Sequence, residues 1–442
     1  MHRRPWKRRT AAAATALIVA GVSTPAAAAG TPTRAAPVAG ARPPAAVTVN
    51  ATGSHLAIAD FGLSTNWFYD NPRFVADITG EGRADVVGFG PQGVYVAVAN
   101  ADGSFGSVNL AVNNLGFNQG WRRNEHPRWV QDITGDGRAD VVGIGFAGVW
   151  TAVSHGDGTF GPATFVLEKF GLRDRQQDTK LFLADTNNDK CDDIVSIYNS
   201  QTLVSLADCA GGYAQPTLAT TVFDFFNFDW RYFQVADVTG DGRAEILAAT
   251  TFGDLGPIQL VISTRRADGT YNNPVPAGAN FPNGAVAVPT RENLVDVTND
   301  GRRDLVLFDA PVPEWGVYTA RAQAGAHFAD FIRATPDFGG NQGWTPNRHL
   351  RLVADLNDDG RGDIVGFGED GVYTALATTG GMFATPNHMV LPQFGANAGW
   401  DWNIDTPRVL ADINGDRRAD IVAFGTGGVY TAISNGDGTF AA

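Results

Sequence analysis

The chain has 442 residues and a formal charge of −13, from 46 acidic against 33 basic side chains. That balance excludes a partner such as nucleic acid or an anionic membrane. Beyond the first 29 residues no segment is apolar enough to cross a bilayer.

The elements follow in chain order. MHRRPWKRRT carries five basic residues and no acid, an apolar run from Ala11 to Val22 follows, and PAAAA supplies small residues for cleavage near Ala29. Residues 1–29 are therefore predicted to be an export signal, too short to span a membrane permanently, and the protein is expected to be secreted. The Arg8-Arg9 pair leaves a twin-arginine route open beside the general one. Residues 30–47, rich in Ala and Pro, read as a disordered linker, and residues 48–442 as one repeat array.

The repeat is announced by an acidic stretch met seven times: DITGEGRADVVG from Asp77, DITGDGRADVVG from Asp132, DTNNDKCDDIVS from Asp185, DVTGDGRAEILA from Asp237, DVTNDGRRDLVL from Asp296, DLNDDGRGDIVG from Asp355 and DINGDRRADIVA from Asp412. Their first residues are 55, 53, 52, 59, 59 and 57 apart, a period that marks units unable to bury their faces alone. In the first unit RFVAD, ADVVGFG, GVYVAVA and SVNLAVNN read as four short strands separated by turn signals. The fold class is thus all-β, a seven-bladed β-propeller of four-stranded antiparallel blades. The seventh unit ends at Ala442 without a fourth strand, whereas SHLAIADFGLSTNW (54–67) aligns without gaps on VNLAVNNLGFNQGW (108–121). An N-terminal outer strand is therefore predicted to close blade 7, which removes exposed sheet edges.

Antiparallel order puts the acidic loops, which join first to second strand, at one end of the ring. The loops that connect successive blades lie at the other. Cys191 and Cys209 both fall at the acidic-loop end of blade 3. A disulfide there is geometrically reasonable, with two separate thiols as the alternative.

Each acidic loop offers oxygens at positions 1, 3, 5 and 9, plus a carbonyl at position 7. Blade by blade these are Asp77, Thr79, Glu81 and Asp85; Asp132, Thr134, Asp136 and Asp140; Asp185, Asn187, Asp189 and Asp193; Asp237, Thr239, Asp241 and Glu245; Asp296, Thr298, Asp300 and Asp304; Asp355, Asn357, Asp359 and Asp363; Asp412, Asn414, Asp416 and Asp420. A turn studded with short carboxylates suits calcium, which takes six to eight oxygens. Structural, low-affinity Ca2+ in some loops is one expectation; metal-free turns held by Asx hydrogen bonds are the other.

The connecting loops carry a second motif, ending at Trp67 (FGLSTNW), Trp121 (LGFNQGW), Trp344 (FGGNQGW) and Trp400 (FGANAGW). A flat aromatic face amid polar groups is what a sugar stacks on; plugging the seam between blades is the competing role. The same face receives GVY or GVW turns that carry Tyr95, Trp150, Tyr373 and Tyr430, for which seam packing is expected. Both motifs survive around blades 6, 7, 1 and 2, while Gln176, a displaced Trp230 and Ala287 mark their loss in blades 3 and 4, and blade 5 keeps only GVY at 316–318. An arc of up to four similar pockets is predicted, at the 5/6, 6/7, 7/1 and 1/2 junctions.

GEGRADVVGFG, GDGRADVVGIG, NGDGTF and the loop GWRRNEHPR resemble the FG-GAP/VCBS repeats of integrin-type propellers, and more narrowly the family of the Psathyrella velutina lectin, over residues 54–442. The resemblance implies inter-blade pockets for N-acetylglucosamine-terminated, and in some cases sialylated, glycans, with calcium in some acidic loops. It implies stacking by Trp67, Trp121, Trp344 and Trp400 and polar contacts from Arg122, His126 and His349. A secreted multivalent lectin is thus expected, its partners glycans or glycoconjugates. The alternative is an adhesive, protein-binding propeller of the integrin kind. With no HExxH, GxSxG or P-loop, and the carboxylates committed to turns, no enzyme is expected.

Overall fold

The computed structural model describes residues 55–176, 178–198, 200–223, 228–251, 258–279, 292–308, 315–384, 388–400 and 406–441. The expected signal and linker, Ala287 and the side chain of Trp230 lie outside what it describes. Blades are numbered by their innermost strand.

Seven antiparallel blades are present, each of four strands, and in the seventh the short strand Phe440–Ala441 also pairs with the third strand. Blade 1 runs Arg73–Ala76, Asp85–Phe89, Val94–Ala97, Asn109–Val112 from the inside outward, and blade 2 repeats this as Arg128–Gln131, Asp140–Ile144, Val149–Ala152, Thr164–Leu167. Blades 3 to 6 keep the order, starting from Lys180–Ala184, Phe228–Ala236, Glu292–Val295 and Arg351–Ala354. In blade 7, Arg408–Ala411, Asp420–Phe424 and Val429–Ser434 are joined by His55–Ile58, which pairs antiparallel with the third strand through Leu56 opposite Tyr430.

The second strand of a blade is apolar on both faces because a neighbouring blade covers each side. All five residues of Asp85–Phe89, Asp140–Ile144, Asp363–Phe367 and Asp420–Phe424 are buried, as expected for a short unbroken apolar run. The core is consequently divided among the seams. Leu115, Trp121, Val141 and Ala152 fill the 1/2 seam with Val87 and Val96. Phe61, Trp67, Val75 and Val86 meet Val409, Val422 and Phe424 in the 7/1 seam, which closes the ring.

Around the axis, the amide at position 8 of an acidic loop donates to the position-1 carbonyl of the preceding blade. Ala84 reaches Asp412 at 2.7 Å, Ala139 reaches Asp77 at 2.7 Å, Asp192 reaches Asp132 at 3.0 Å and Ala419 reaches Asp355 at 2.8 Å. Cys191 and Cys209 form a disulfide, with Cα atoms 5.6 Å apart.

Candidate inter-blade sugar site

The connecting loop is shaped by close backbone approach. Its first glycine lies against the glycine of the preceding blade's GVY turn: a Cβ on Gly116 would stand 2.4 Å from the Gly93 nitrogen, and one on Gly339 would stand 2.6 Å from the Gly316 nitrogen. A single 3-10 turn follows, Leu63–Thr65, Phe117–Gln119, Gly340–Gln342 or Ala396–Ala398. It ends in a left-handed residue immediately before the Trp.

That geometry turns each motif Trp inward. Trp67, Trp121, Trp344 and Trp400 are 4%, 6%, 7% and 2% exposed, and their rings lie over second-strand glycines Gly88, Gly143 and Gly366 and, in blade 7, over Gly425 just past the second strand. Trp67, Trp344 and Trp400 meet Tyr95, Tyr373 and Tyr430 edge-on at 5.6, 5.6 and 5.8 Å, and Asp60 Oδ1 takes the Trp67 indole N–H at 2.9 Å. As placed, the four indoles pack into the seams, the competing role, and of them Trp344 also lines the 5/6 cleft described below.

The histidines are inward too. His126 (8% exposed) and His349 (3%) accept, through Nδ1, the backbone N–H of Arg122 at 3.1 Å and of Thr345 at 2.9 Å. Both brace the turn after the Trp through Nδ1. Arg122 stays half-exposed: its guanidinium lies 3.6 Å from the Phe117 ring centroid and Nη1 donates to the carbonyls of Phe117 and Trp121 at 2.9 Å each. Behind these loops, Arg73, Arg128, Arg351 and Arg408 donate to the carbonyls of Phe61, Leu115, Phe338 and Phe394. Burial, reinforced by Arg123, holds the Arg128 guanidinium down at about 9.

The four junctions expected to be alike differ. At 5/6 a cleft of about 510 Å³ is lined by Trp315, Gly340, Asn341, Trp344, Thr345 and Pro346. Trp315 is 43% exposed, and its carbonyl accepts from Nε of Arg333 at 3.0 Å. At 6/7 the corresponding place is bridged by Asn397 Nδ2 donating to Asp370 Oδ1 at 2.9 Å. At 1/2, Gln119 Nε2 donates to the Gln92 carbonyl at 3.0 Å and Arg122 covers Phe117. Other exposed aromatic side chains on this face are Phe68 and Tyr69 at 7/1, Phe117 at 1/2 and Phe146 at 2/3.

Trp315 was not singled out from the sequence. The signal was there: the residue before GVY is Trp in blade 5 but Gln92, Ala147, Asp370 and Gly427 elsewhere, and the residue after FG is Gly340 where other loops have Leu63, Phe117 and Ala396. Neither departure has meaning until the two positions are known to touch.

On the opposite face each position-1 Asp gathers the loop's own amides. In blade 2, Asp132 Oδ1 accepts from Thr134 at 3.1 Å and Gly135 at 2.7 Å, and Oδ2 from Gly137 at 2.8 Å. Asp77, Asp185, Asp237, Asp296, Asp355 and Asp412 do the same at their position-3 and position-6 amides. The position-9 carboxyls are buried and point to backbone: Asp140 accepts from Ile133 at 3.2 Å and Ser154 at 2.7 Å, with matching bonds for Asp85, Asp193, Asp304, Asp363 and Asp420. Burial outweighs these donors and pushes Asp85, Asp363 and Asp420 up to about 7, Asp140, Asp193 and Asp304 up to about 6, and Glu245 up to about 8.

At position 5, Glu81, Asp136, Asp241, Asp300, Asp359 and Asp416 pair with the Arg at position 7 of their own loops. In blade 3 that Arg is Cys191, and the disulfide stands in its place. At position 3, the Thr134 and Thr298 hydroxyls lie within reach of the position-1 and position-9 carboxylates, those of Thr79 and Thr239 beside Asp77 and Asp237. Asn187, Asn357 and Asn414 accept the position-5 amide. Among the described residues, the sole Asp, Glu, His or Cys trio with ligand atoms within 4.8 Å of one another is Asp189, Cys191 and Cys209, two of which are bonded to each other. As arranged, the acidic loops do not fit a calcium cage of six to eight free oxygens; protein donors occupy them.

Residues 132–196 match the family model of the FG-GAP-like repeat. No curated protein matches the chain. Among solved structures it is similar to a lectin of Agrocybe aegerita described as specifically recognising non-reducing terminal N-acetylglucosamine, at 29% identity, over 87% of this chain and 82% of that one, with a TM-score of 0.46. It is also similar to a Tc holotoxin pore structure from Photorhabdus luminescens, at 15% identity, 86% and 14% coverage and a TM-score of 0.45. A third is BBS1N in complex with ARL6DN, at 9% identity, 82% and 92% coverage and a TM-score of 0.40.

Proposed function

We propose that this seven-bladed propeller of FG-GAP-like repeats is a carbohydrate-binding protein, exported by its N-terminal signal, and that a sugar docks in the cleft between blades 5 and 6. The observation that carries the reading is Trp315, an indole 43% exposed in a cleft of about 510 Å³ with Asn341 and Thr345 beside it. An aromatic face with a few convergent polar groups suits a pyranose, whose C–H face is apolar and whose rim is hydroxylated. A shallow cleft gives weak single-site binding, and the exposed aromatics at the 7/1 and 1/2 junctions are the candidates for further, weaker contacts along one glycan surface.

N-acetylglucosamine, the sugar named for the Agrocybe aegerita lectin, is the first ligand to titrate, read by tryptophan fluorescence and repeated with Trp315→Ala. A response that vanishes in the variant supports the reading; no response up to high millimolar sugar removes it. A protein-binding propeller is the second reading. It is favoured by large apolar side chains left open on the outer strands, Leu56, Leu110, Phe165 and Leu218 among them.

A further inference from the structure

We infer that His349 is a positioning residue for the 5/6 cleft: its Nδ1 fixes the wall residue Thr345 through the backbone, and the grip lasts only while the imidazole is neutral.

Thr345 and Pro346 line the cleft, and the Thr345 N–H is held by His349 Nδ1 at 2.9 Å. A neutral imidazole has one accepting and one donating nitrogen. Since Nδ1 accepts, the proton sits on Nε2, which lies 3.3 Å from Glu369 Oε1. Glu369 is itself fixed, by Arg348 Nε and Nη2 at 2.7 Å each, and the imidazole packs edge-on against Trp344 at 5.5 Å. A second proton would enter at Nδ1 and place N–H against N–H, leaving the Thr345 amide without its acceptor beside a ring that is 3% exposed.

The charged groups around the imidazole are Glu369, Arg348 and Arg351. Burial holds its pKa below the ordinary 6.5, Glu369 pulls it back up, and the two arginines push it down. Because the folded-state value is lowered, the grip is complete above about 6.5 and is lost as pH falls through the folded-state value.

The chain contains its own comparison. At the 7/1 junction the amide after the Trp, Phe68 N–H, is accepted by Asn71 Oδ1 at 3.3 Å, a group that does not titrate. His126 repeats the histidine arrangement at 1/2, where it accepts the Arg122 N–H and stands 5.5 Å from Trp121.

The inference rests on reading the 5/6 cleft as the sugar site, but its first readout needs no sugar. In protein labelled with 15N-threonine, the Thr345 amide and the His349 ring are followed by NMR from pH 8 to 5, and N-acetylglucosamine affinity is measured over the same range, in the natural chain and in His349→Asn. The amide and ring should titrate together below about 6.5. Affinity should fall by up to roughly tenfold per pH unit beneath that midpoint, and the variant should be flat in both. A Thr345 amide that ignores the ring's titration, or a variant with the natural pH profile, overturns the inference. Sugar that never binds while Thr345 and His349 titrate together leaves the positioning role standing and removes the sugar reading. Sugar that binds independently of pH does the reverse. If the variant does not fold, the joint titration in the natural chain decides alone.

Discussion

The indole of Trp315 rests on Gly340: a Cβ placed there would stand 2.9 Å from two of its ring carbons. Blade 5 supplies the platform and the loop leading to blade 6 lacks the side chain that would cover it, so the open aromatic surface at 5/6 exists because of a pair of departures from the repeat. Gly340→Leu should push Trp315 out of place and weaken N-acetylglucosamine binding as much as Trp315→Ala does, with little change in unfolding midpoint, since both positions are at the surface. Titration calorimetry on the two variants checks this.

The motif indoles should behave in the opposite way. Trp121 is 6% exposed and packed in the 1/2 seam, so Trp121→Ala should cost about 3–5 kcal/mol of stability. Trp315→Ala should cost within about 0.5 kcal/mol. Urea denaturation of both variants separates a packing residue from a surface one.

The disulfide occupies the place that an Arg–acid pair holds in six blades. Breaking it with Cys191→Ser and Cys209→Ser together should lower stability by about 3 kcal/mol, from the entropy of an open 18-residue loop. The urea midpoint of the double variant, compared with the oxidised natural chain, gives the number.

Calcium removal should leave the melting temperature unchanged. The carboxylates of the acidic loops already take backbone amides and arginines, as Asp132 does from Gly135 and Gly137, so the turn is complete without an ion. Melting with and without EDTA tests it, and a fall of several degrees on chelation would show that the loops rearrange around a metal.

The position-9 carboxyls give a pH dependence of definite sign. Their folded-state values are raised, to about 7 for Asp85 and Asp420 and about 8 for Glu245. A group raised on folding contributes stability below its unfolded value and loses it as pH climbs through the folded one. The melting temperature should therefore decline between pH 5 and 8, in opposition to the smaller histidine effect, and differential scanning calorimetry across that range reads it.

The repeat itself was legible along the chain. Seven acidic stretches at intervals of 52 to 59 residues, each running into an apolar strand, already specify the blade. The outer strand of the last blade was legible as well, because His55–Ile58 and Asn109–Val112 share their flanking motif and both pair with a third strand at the tyrosine, Leu56 with Tyr430 and Leu110 with Tyr95. The site was not legible in the same way. A Trp in a Gly-rich loop reads identically whether it faces solvent or a seam, and the choice was made by Gly88, Gly143, Gly366 and Gly425, which lie in or just past the second strand of the next blade.

Alternating polarity and turn chemistry act between residues close along the backbone, so the amino-acid order alone determined blade number, strand order and the place of the acidic turns. Which aromatic surface stays open is a matter of contact between neighbouring blades. Trp315 and Gly340 are 25 positions apart, and only folding the connecting loop back onto the turn of blade 5 exposes the first by omitting a side chain from the second. Whether His349 touches a ligand or holds the chain that does was decided there too, because the acceptor of the Thr345 amide depends on which way the folded loop turns its imidazole.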